Sequence, residues 1–264
     1  MEIIDYGVCR LSLVSVRKEP DHRSQQVNQL LFGEHYEVLG QSTDGAWLQI
    51  RLHMDESDGW LDQRQHHSIP KEYFDQINAS DYRITTDLTS GILYKKNPIT
   101  ILLGSVVPIS NSELFRMEEQ FAFSGESKSL GQKRDTEFLR SVALKYLNAP
   151  YLSGGKSPFG IDETGLTQMA DRLAGYTIAR DVAGQAQSGK VVADAKDARA
   201  GDLVVGPGAQ GSDLHCGILL KDQKVLHVRG NVRIDNFEDG VVLDFESHLP
   251  HFSVLHFRRI VVAQ

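Results

Sequence analysis

Cysteine is nearly absent, with Cys9 and Cys216 the only two in 264 residues. Two thiols cannot frame a disulfide-stapled domain or a cysteine-rich zinc site. Long apolar runs are missing as well. The longest, Ile101 to Ile109, is broken by Gly104, Ser105 and Pro108 and is far too short to span a bilayer. Nor is there a long basic run: 28 Lys plus Arg are outnumbered by 35 Asp plus Glu, a formal net charge of −7. That balance argues against nucleic acid and against an anionic membrane surface as partners, while leaving room for a small acidic ligand in a local basic pocket. The start, Met-Glu-Ile-Ile-Asp, lacks the basic residues and apolar stretch of a secretory signal, so a cytoplasmic location is expected.

What remains is an ordinary globular composition, 41% hydrophobic and 24% charged, over a length that predicts two domains, or three small ones. The first sixty-odd residues read as β. Cys9, Leu11 and Leu13 alternate with polar neighbours, as do Leu48, Ile50 and Leu52. Asp44-Gly45 and Asp58-Gly59 read as tight turns, and short strands at this spacing suggest a small barrel. A polar connector, Gln63 to Ser68, contains His66-His67, which reads as a solvated loop. Beyond it, Ile92-Leu93-Tyr94, Ile99 to Leu103, Val106 to Ile109 and Phe121-Ala122-Phe123 suggest a second small β unit.

The pattern then changes. Phe138, Leu139, Val142, Ala143, Tyr146 and Leu147 recur at helical spacing, with Asp135 or Thr136 to cap the start and Pro150 to end it. A second helix is expected from about Glu163 to Ala174, stopped by Gly175. Strands should follow at Asp202 to Val205, Leu214 to Leu220, Val225 to Val228 and Ser253 to Val262.

Four segments carry a resemblance. They are Ala149-Pro-Tyr-Leu-Ser-Gly-Gly-Lys-Ser-Pro-Phe-Gly-Ile-Asp-Glu-Thr-Gly-Leu-Thr-Gln168, Arg180-Asp181, Gly201-Asp202-Leu203, and His215-Cys-Gly-Ile218 with Leu226-His-Val-Arg-Gly-Asn-Val-Arg-Ile-Asp235. In this order they resemble the NlpC family of papain-like cysteine peptidases, in particular the γ-D-glutamyl-L-diamino-acid endopeptidases of dipeptidyl-peptidase VI type that trim murein peptides. The front half, with Gly7 to Arg17 and Leu30-Leu-Phe-Gly-Glu34, resembles the bacterial Src-homology-3-like barrels that precede that peptidase domain. The expectation is a multidomain chain: one barrel over 1–66, a second small barrel and linker over 67–130, and an α+β papain-like domain over 131–264.

The resemblance also assigns the site. The family's sequence Gly-Ile-Asp-Cys-Ser-Gly-Leu opens a helix with its nucleophilic cysteine; here that position is Glu163 and the next is Thr164. His215 aligns with the general base and His227 with the residue that orients it. A hairpin turn centred on Lys221 would set these histidines directly opposite each other. Asp162, Glu34 and Tyr73 correspond to groups that capture a peptide's N-terminal amine, and Tyr151, Thr164 and Arg229 complete the substrate-binding candidates. Ser153, Val182 and the run Val228-Arg229 replace residues usual in the family. Cys216, next to His215 on a strand, should point to the opposite face as an inert buried thiol.

A helix N-terminus accommodates a carboxylate, but thiol chemistry needs a thiol. The expectation is therefore a catalytically silent or altered relative of the murein-peptide endopeptidases that binds murein-derived peptides, with no cofactor. Two other readings stay open: a hydrolase with changed chemistry, for instance a metal held by Glu163, His215 and His227, and a scaffold whose barrels dock partners.

Overall fold

The computed structural model describes residues 2–79, 81–107, 121–209 and 214–261. Packing divides the chain into two compact units: Met1–Gln132 with Ser153–Ser157, and Lys133–Leu152 with Pro158–Gln264. No helix among the described residues is long and apolar enough to cross a membrane.

The first unit opens with β1 (Asp5–Val8), β2 (Leu13–Arg17), β3 (Gln26–Leu31), β4 (His35–Gln41), β5 (Trp47–Leu52) and β6 (Asp58–Asp62). They form one sheet in the order β1-β4-β5-β6-β2-β3. Period-two alternation puts Leu48, Ile50 and Leu52 on its inner face with Cys9, Val16, Tyr36 and Leu61. Asp58-Gly59 does not make the expected turn. The chain reverses earlier, at Glu56 (φ 56°), and Gly59 lies inside β6, where a Cβ would sit 2.4 Å from Val16 Cγ1. The expected solvated loop is also corrected: His66 is held between Tyr36 Oη (3.1 Å) and Asp5 Oδ2 (3.0 Å).

Sequence reading missed α1 (Lys71–Ala79), whose apolar residues Tyr73, Phe74 and Ile77 pack with Val8. The strands that follow are β7 (Arg83–Thr85), β8 (Thr89–Tyr94), β9 (Asn97–Leu102), β10 (Val106–Val107), β11 (Phe121–Ser124) and β12 (Ser127–Ser129). They make two three-stranded sheets, β10-β7-β12 and β11-β8-β9. Of the expected run Val106 to Ile109, the last two residues lie outside the described ones. These sheets share their core with the first: Phe32 packs with Ile92, Ile101 and Val107. Arg10, buried, extends its guanidinium over Phe32, Tyr94 and Phe121 and donates to Tyr73 Oη at 2.9 Å. The expected segments 1–66 and 67–130 therefore fold as one packed unit. β13 (Lys156–Ser157) also belongs to it.

In the second unit, α2 (Thr136–Ala143) is capped by Asp135, which accepts from Phe138 N at 2.9 Å, and tightens into a 3₁₀ turn at Leu144–Tyr146. After β14 (Gly160–Ile161) come α3 (Glu163–Leu173) and α4 (Val182–Gln185), with Gly175 in the left-handed region (φ 87°) just past α3. The remaining strands are β15 (Lys190–Val192), β16 (Leu203–Pro207), β17 (Leu214–Leu219), β18 (Lys224–Arg229), β19 (Asn231–Glu238), β20 (Val241–Leu243), β21 (Pro250–Ser253) and β22 (His256–Arg259). The strand expected from Ser253 to Val262 is thus two strands, broken at 254–255, and Val262 lies outside the described residues.

The eight strands run β15-β22-β16-β17-β18-β19-β20-β21. The sheet curls until β21 meets β16: Gly208 bridges Phe252, and Ala209 N donates to His251 O at 2.8 Å. Gly206 permits this closure, since a Cβ there would lie 1.7 Å from Ser253 O. Two layers result. Leu203, Val205 and Cys216 face α4, while Val204, Leu219, Val225, Val242 and Phe252 face the inside of the curl. In chain order, α2, α3 and α4 of this unit all come before the strands of the eight-stranded sheet.

Candidate functional site

The site is built where α3 begins. Asp162 is extended (φ −102°, ψ 176°) and its carboxylate accepts from Gly165 N at 2.7 Å, satisfying one of the free N–H groups of the first turn. The same carboxylate takes both arms of Arg180, Nη1 to Oδ1 and Nη2 to Oδ2, each at 2.9 Å. Thr164 Oγ1 donates to Asp162 Oδ1 at 3.1 Å and accepts from Arg180. Asp162, Thr164 and Arg180 therefore lock the helix start, and the fork-to-carboxylate pairing fixes its orientation. Gln185 of α4 adds a staple, donating to Thr164 O at 2.9 Å.

Glu163 is the first residue of α3. Its Oε1 lies 3.3 Å from His215 Nδ1 on β17, both side chains about a quarter exposed. The His215 ring stacks on Phe252 with centroids 5.9 Å apart. The structure brings these two expected site residues together as a carboxylate–imidazole pair.

His227 is placed differently from expectation. β17 and β18 pair Gly217 with His227 and Ile218 with Leu226, so the hairpin is centred on Asp222 rather than Lys221. His215 and His227 remain on one face but are offset diagonally by two residues. The extra residue is taken up in the turn, where Asp222 and Gln223 both have positive φ (57° and 51°). His227 is buried and its Nε2 pairs with Asp235 Oδ2 at 2.8 Å, so Nε2 carries the hydrogen. Burial pulls the His227 imidazole below its usual range, partly offset by that bond to Asp235. Burial pushes Asp235 upward, but hydrogen bonds from His227, Phe245 N and Arg233 outweigh it and bring the carboxyl down to about 2.

Cys216 lies on the opposite face of β17, 1% exposed, with its sulfur 3.8 Å from Thr167 Oγ1. Burial drives its thiol far up, away from the reactive thiolate.

The substrate-binding candidates divide between the units. In the first, Glu34 is fully buried and holds Lys156 Nζ at 2.9 and 3.0 Å, while Tyr73 is buried beneath Arg10. In the second, Asp162 and Thr164 share Arg180, Tyr151 is half exposed, and Arg229 is exposed at the end of β18. All three amine-capturing candidates thus already contact a cationic side chain of this chain. Sequence reading did not single out those cations, Lys156, Arg10 and Arg180, as site residues. It also missed Arg233, Asp235, Asp244 and His251, which surround His227. Arg10, Lys156, Arg180, Arg233 and Asp235 stood in the quoted motifs. His251 had no local signal, because only the curled sheet brings β21 near β18.

Residues 148–245 match the NlpC/P60 family and residues 16–65 the bacterial dipeptidyl-peptidase Sh3 domain. The chain therefore carries an NlpC/P60 domain, of papain-like peptidase fold, behind an Sh3-like domain, and it is homologous to γ-D-glutamyl-L-lysine dipeptidyl-peptidases. One relative, the γ-D-glutamyl-L-lysine dipeptidyl-peptidase of Bacillus subtilis (strain 168), is 27% identical over 75% of this chain and 71% of its own length. Another, dipeptidyl-peptidase 6 of Lysinibacillus sphaericus, is 25% identical over 64% and 69%. Among solved structures, an NlpC/P60 family protein from Bacillus cereus ATCC 10987 superposes with a TM-score of 0.76, covering 97% of this chain and 99% of that one at 17% identity, which shows a shared fold.

Proposed function

We propose that this protein is a catalytically silent relative of the murein-peptide endopeptidases that binds L-Ala-γ-D-Glu peptides without cleaving them. The observation that carries the reading is Glu163 at the first position of α3 with its carboxylate on His215. In a cysteine peptidase, a thiolate at such a helix start attacks the scissile carbonyl while the neighbouring imidazole manages the proton. A carboxylate there is a weak nucleophile, and His215 is engaged with an anion instead of a thiol. The buried Cys216 faces the wrong side of its strand to substitute.

Peptide binding rests on the homology to γ-D-glutamyl-L-lysine dipeptidyl-peptidases and on a carboxylate in each unit, Glu34 in the first and Asp162 in the second, each of which the resemblance assigns to ammonium capture. A carboxylate has about four acceptor sites, so Lys156 and Arg180 do not by themselves exclude an ammonium, although it has to compete with them. The metal-hydrolase alternative loses support, because of its three residues only Glu163 and His215 are in contact with each other, while His227 turns to Asp235.

The test is to incubate the full chain with L-Ala-γ-D-Glu-diaminopimelate, follow cleavage by mass spectrometry, and measure binding by calorimetry. Saturable binding without cleavage is expected. Cleavage abolished by iodoacetamide would overturn the reading and implicate Cys216.

A further inference from the structure

Behind the Glu163–His215 pair lies a second polar cluster that the proposed function does not use. His227 on β18, Asp235 on β19 and His251 on β21 are all buried, and their ligand-type atoms lie within 4.8 Å of one another. Asp235 Oδ2 is 2.8 Å from His227 Nε2 and 3.0 Å from His251 Nε2, and Asp244 Oδ2 is 3.3 Å from that same His251 nitrogen.

His251 makes no hydrogen bond through either ring nitrogen among the described residues, although its side chain is only 7% exposed. Its Nε2 is near two carboxylate oxygens but misaligned with them. Two groups that bind a common third atom face that atom, whereas hydrogen-bond partners face each other, so proximity without alignment is what a pair of ligands shows. Such a buried, unpaired nitrogen is costly unless something occupies the space it addresses.

The carboxylates are prepared in the same sense. Asp235 ties Oδ1 to Phe245 N at 2.9 Å, and Asp244 ties Oδ1 to Ser247 N at 2.7 Å and Glu246 N at 3.0 Å. Each thereby fixes one oxygen to the backbone and turns the other toward the imidazoles, the outer support that orients metal ligands. The cation now in contact with both is Arg233, with Nε 2.8 Å from Asp235 Oδ2 and Nη2 2.7 Å from Asp244 Oδ2. Its side chain is 28% exposed, against 0% for Asp235, so the guanidinium sits on the open side of the cluster and can swing out to water.

We propose that His227, Asp235, Asp244 and His251 form a structural site for a zinc-class divalent ion, with Arg233 as the resident cation that the metal displaces. Two imidazoles and two carboxylates suit Zn²⁺ by ligand chemistry, and four protein ligands make a closed site without catalytic water. Tetrahedral bonds of about 2.0–2.1 Å put ligand atoms roughly 3.3 Å apart, so the 2.8 and 3.0 Å contacts open by a few tenths of an ångström and the wider ones, within 4.8 Å, close in. The His227 Nε2 hydrogen moves to Nδ1 or to water as the metal binds. Because the ligands come from β18, β19, β21 and the segment between β20 and β21, the ion would pin the curl of the sheet.

The test uses the full, untagged chain titrated with Zn²⁺ by calorimetry and with Co²⁺ by visible absorption. One equivalent should bind with the intense bands of tetrahedral cobalt. His251→Gln should weaken affinity by at least about tenfold, and Arg233→Met should tighten it by removing the competitor. The gain in Arg233→Met cannot come from misfolding and keeps the proposal falsifiable even where His251→Gln is poorly folded. No binding by either the wild type or Arg233→Met would overturn the proposal. So would affinity unchanged in His251→Gln, or unchanged or weaker in Arg233→Met.

Discussion

Lys156→Met removes the ammonium that Glu34 holds at 2.9 and 3.0 Å. Both side chains are 1% exposed, so neither has water to fall back on. The substitution preserves the aliphatic stem and its volume but strands a carboxylate that also accepts from Leu31 N at 2.8 Å. Breaking a buried pair this way costs about 3–5 kcal/mol, against well under 1 kcal/mol for most surface pairs. In a unit of this size that is a fall of about 10–20 °C in Tm. Replacing both partners, Glu34→Leu with Lys156→Met, should recover most of the loss, because a well-packed apolar pair avoids the desolvation of two ions. The readout is built in. Trp47 and Trp60 are the only tryptophans and both lie in the first unit, so fluorescence-monitored urea unfolding reports on that unit alone. A Lys156→Met chain within about 1 kcal/mol of wild type, or a double variant no more stable than the single, would refute the argument that these charges are buried and mutually dependent. The same variant bears on ligand binding, since a peptide ammonium should bind Lys156→Met more tightly if Glu34 is its acceptor.

Glu163→Cys should return an alkylatable thiol to the start of α3 beside His215, yet leave L-Ala-γ-D-Glu-diaminopimelate uncleaved, because hydrolysis also needs the carbonyl held in near-attack geometry. Activity should require Arg229→Ser and Ser153→Trp in addition, and full turnover by the single variant would show that the pocket has not drifted. In the native wild type, iodoacetamide should label neither cysteine by mass spectrometry: both are 1% exposed, and burial pushes the Cys9 thiol up to about 12. Asp171 in α3 is buried, which pushes its carboxyl up to about 8. Because the folded value lies above the unfolded one, its contribution is complete below about pH 4 and is lost as pH rises through about 8. Asp171→Asn should therefore flatten the decline in urea midpoint across that window, measured by circular dichroism, and an unchanged slope would count against a buried, protonated carboxyl.

Local patterns were legible wherever the sequence period matched a single element. The alternation Leu48, Ile50, Leu52 marked β5, and the apolar stripe from Glu163 to Ala174 with Gly175 behind it marked α3 and its stop. These signals are short-range: side-chain direction repeats every two or 3.6 residues, and capping is decided within one turn. The place of Glu163 and the facing strand of His215 were readable through the family motifs. In contrast, α1 went unread, because its apolar residues Tyr73, Phe74 and Ile77 are few among polar neighbours and gain their meaning only by packing on Val8.

The hairpin register depended on one residue in the Lys221–Lys224 turn, and residue pattern alone does not resolve it. Longer-range placement was beyond the sequence altogether. Lys156 and Glu34 are separated by 122 positions, and His251 meets His227 and Asp235 only because the sheet curls from β16 round to β21. The sequence by itself determined the elements whose apolar period is strong, such as β5 and α3, and that the helix start bears a carboxylate where the family has a thiol. Which charges became partners was decided by the tertiary structure, because burial removes water as the alternative partner and leaves each polar group to whatever the fold brings within about 3 Å.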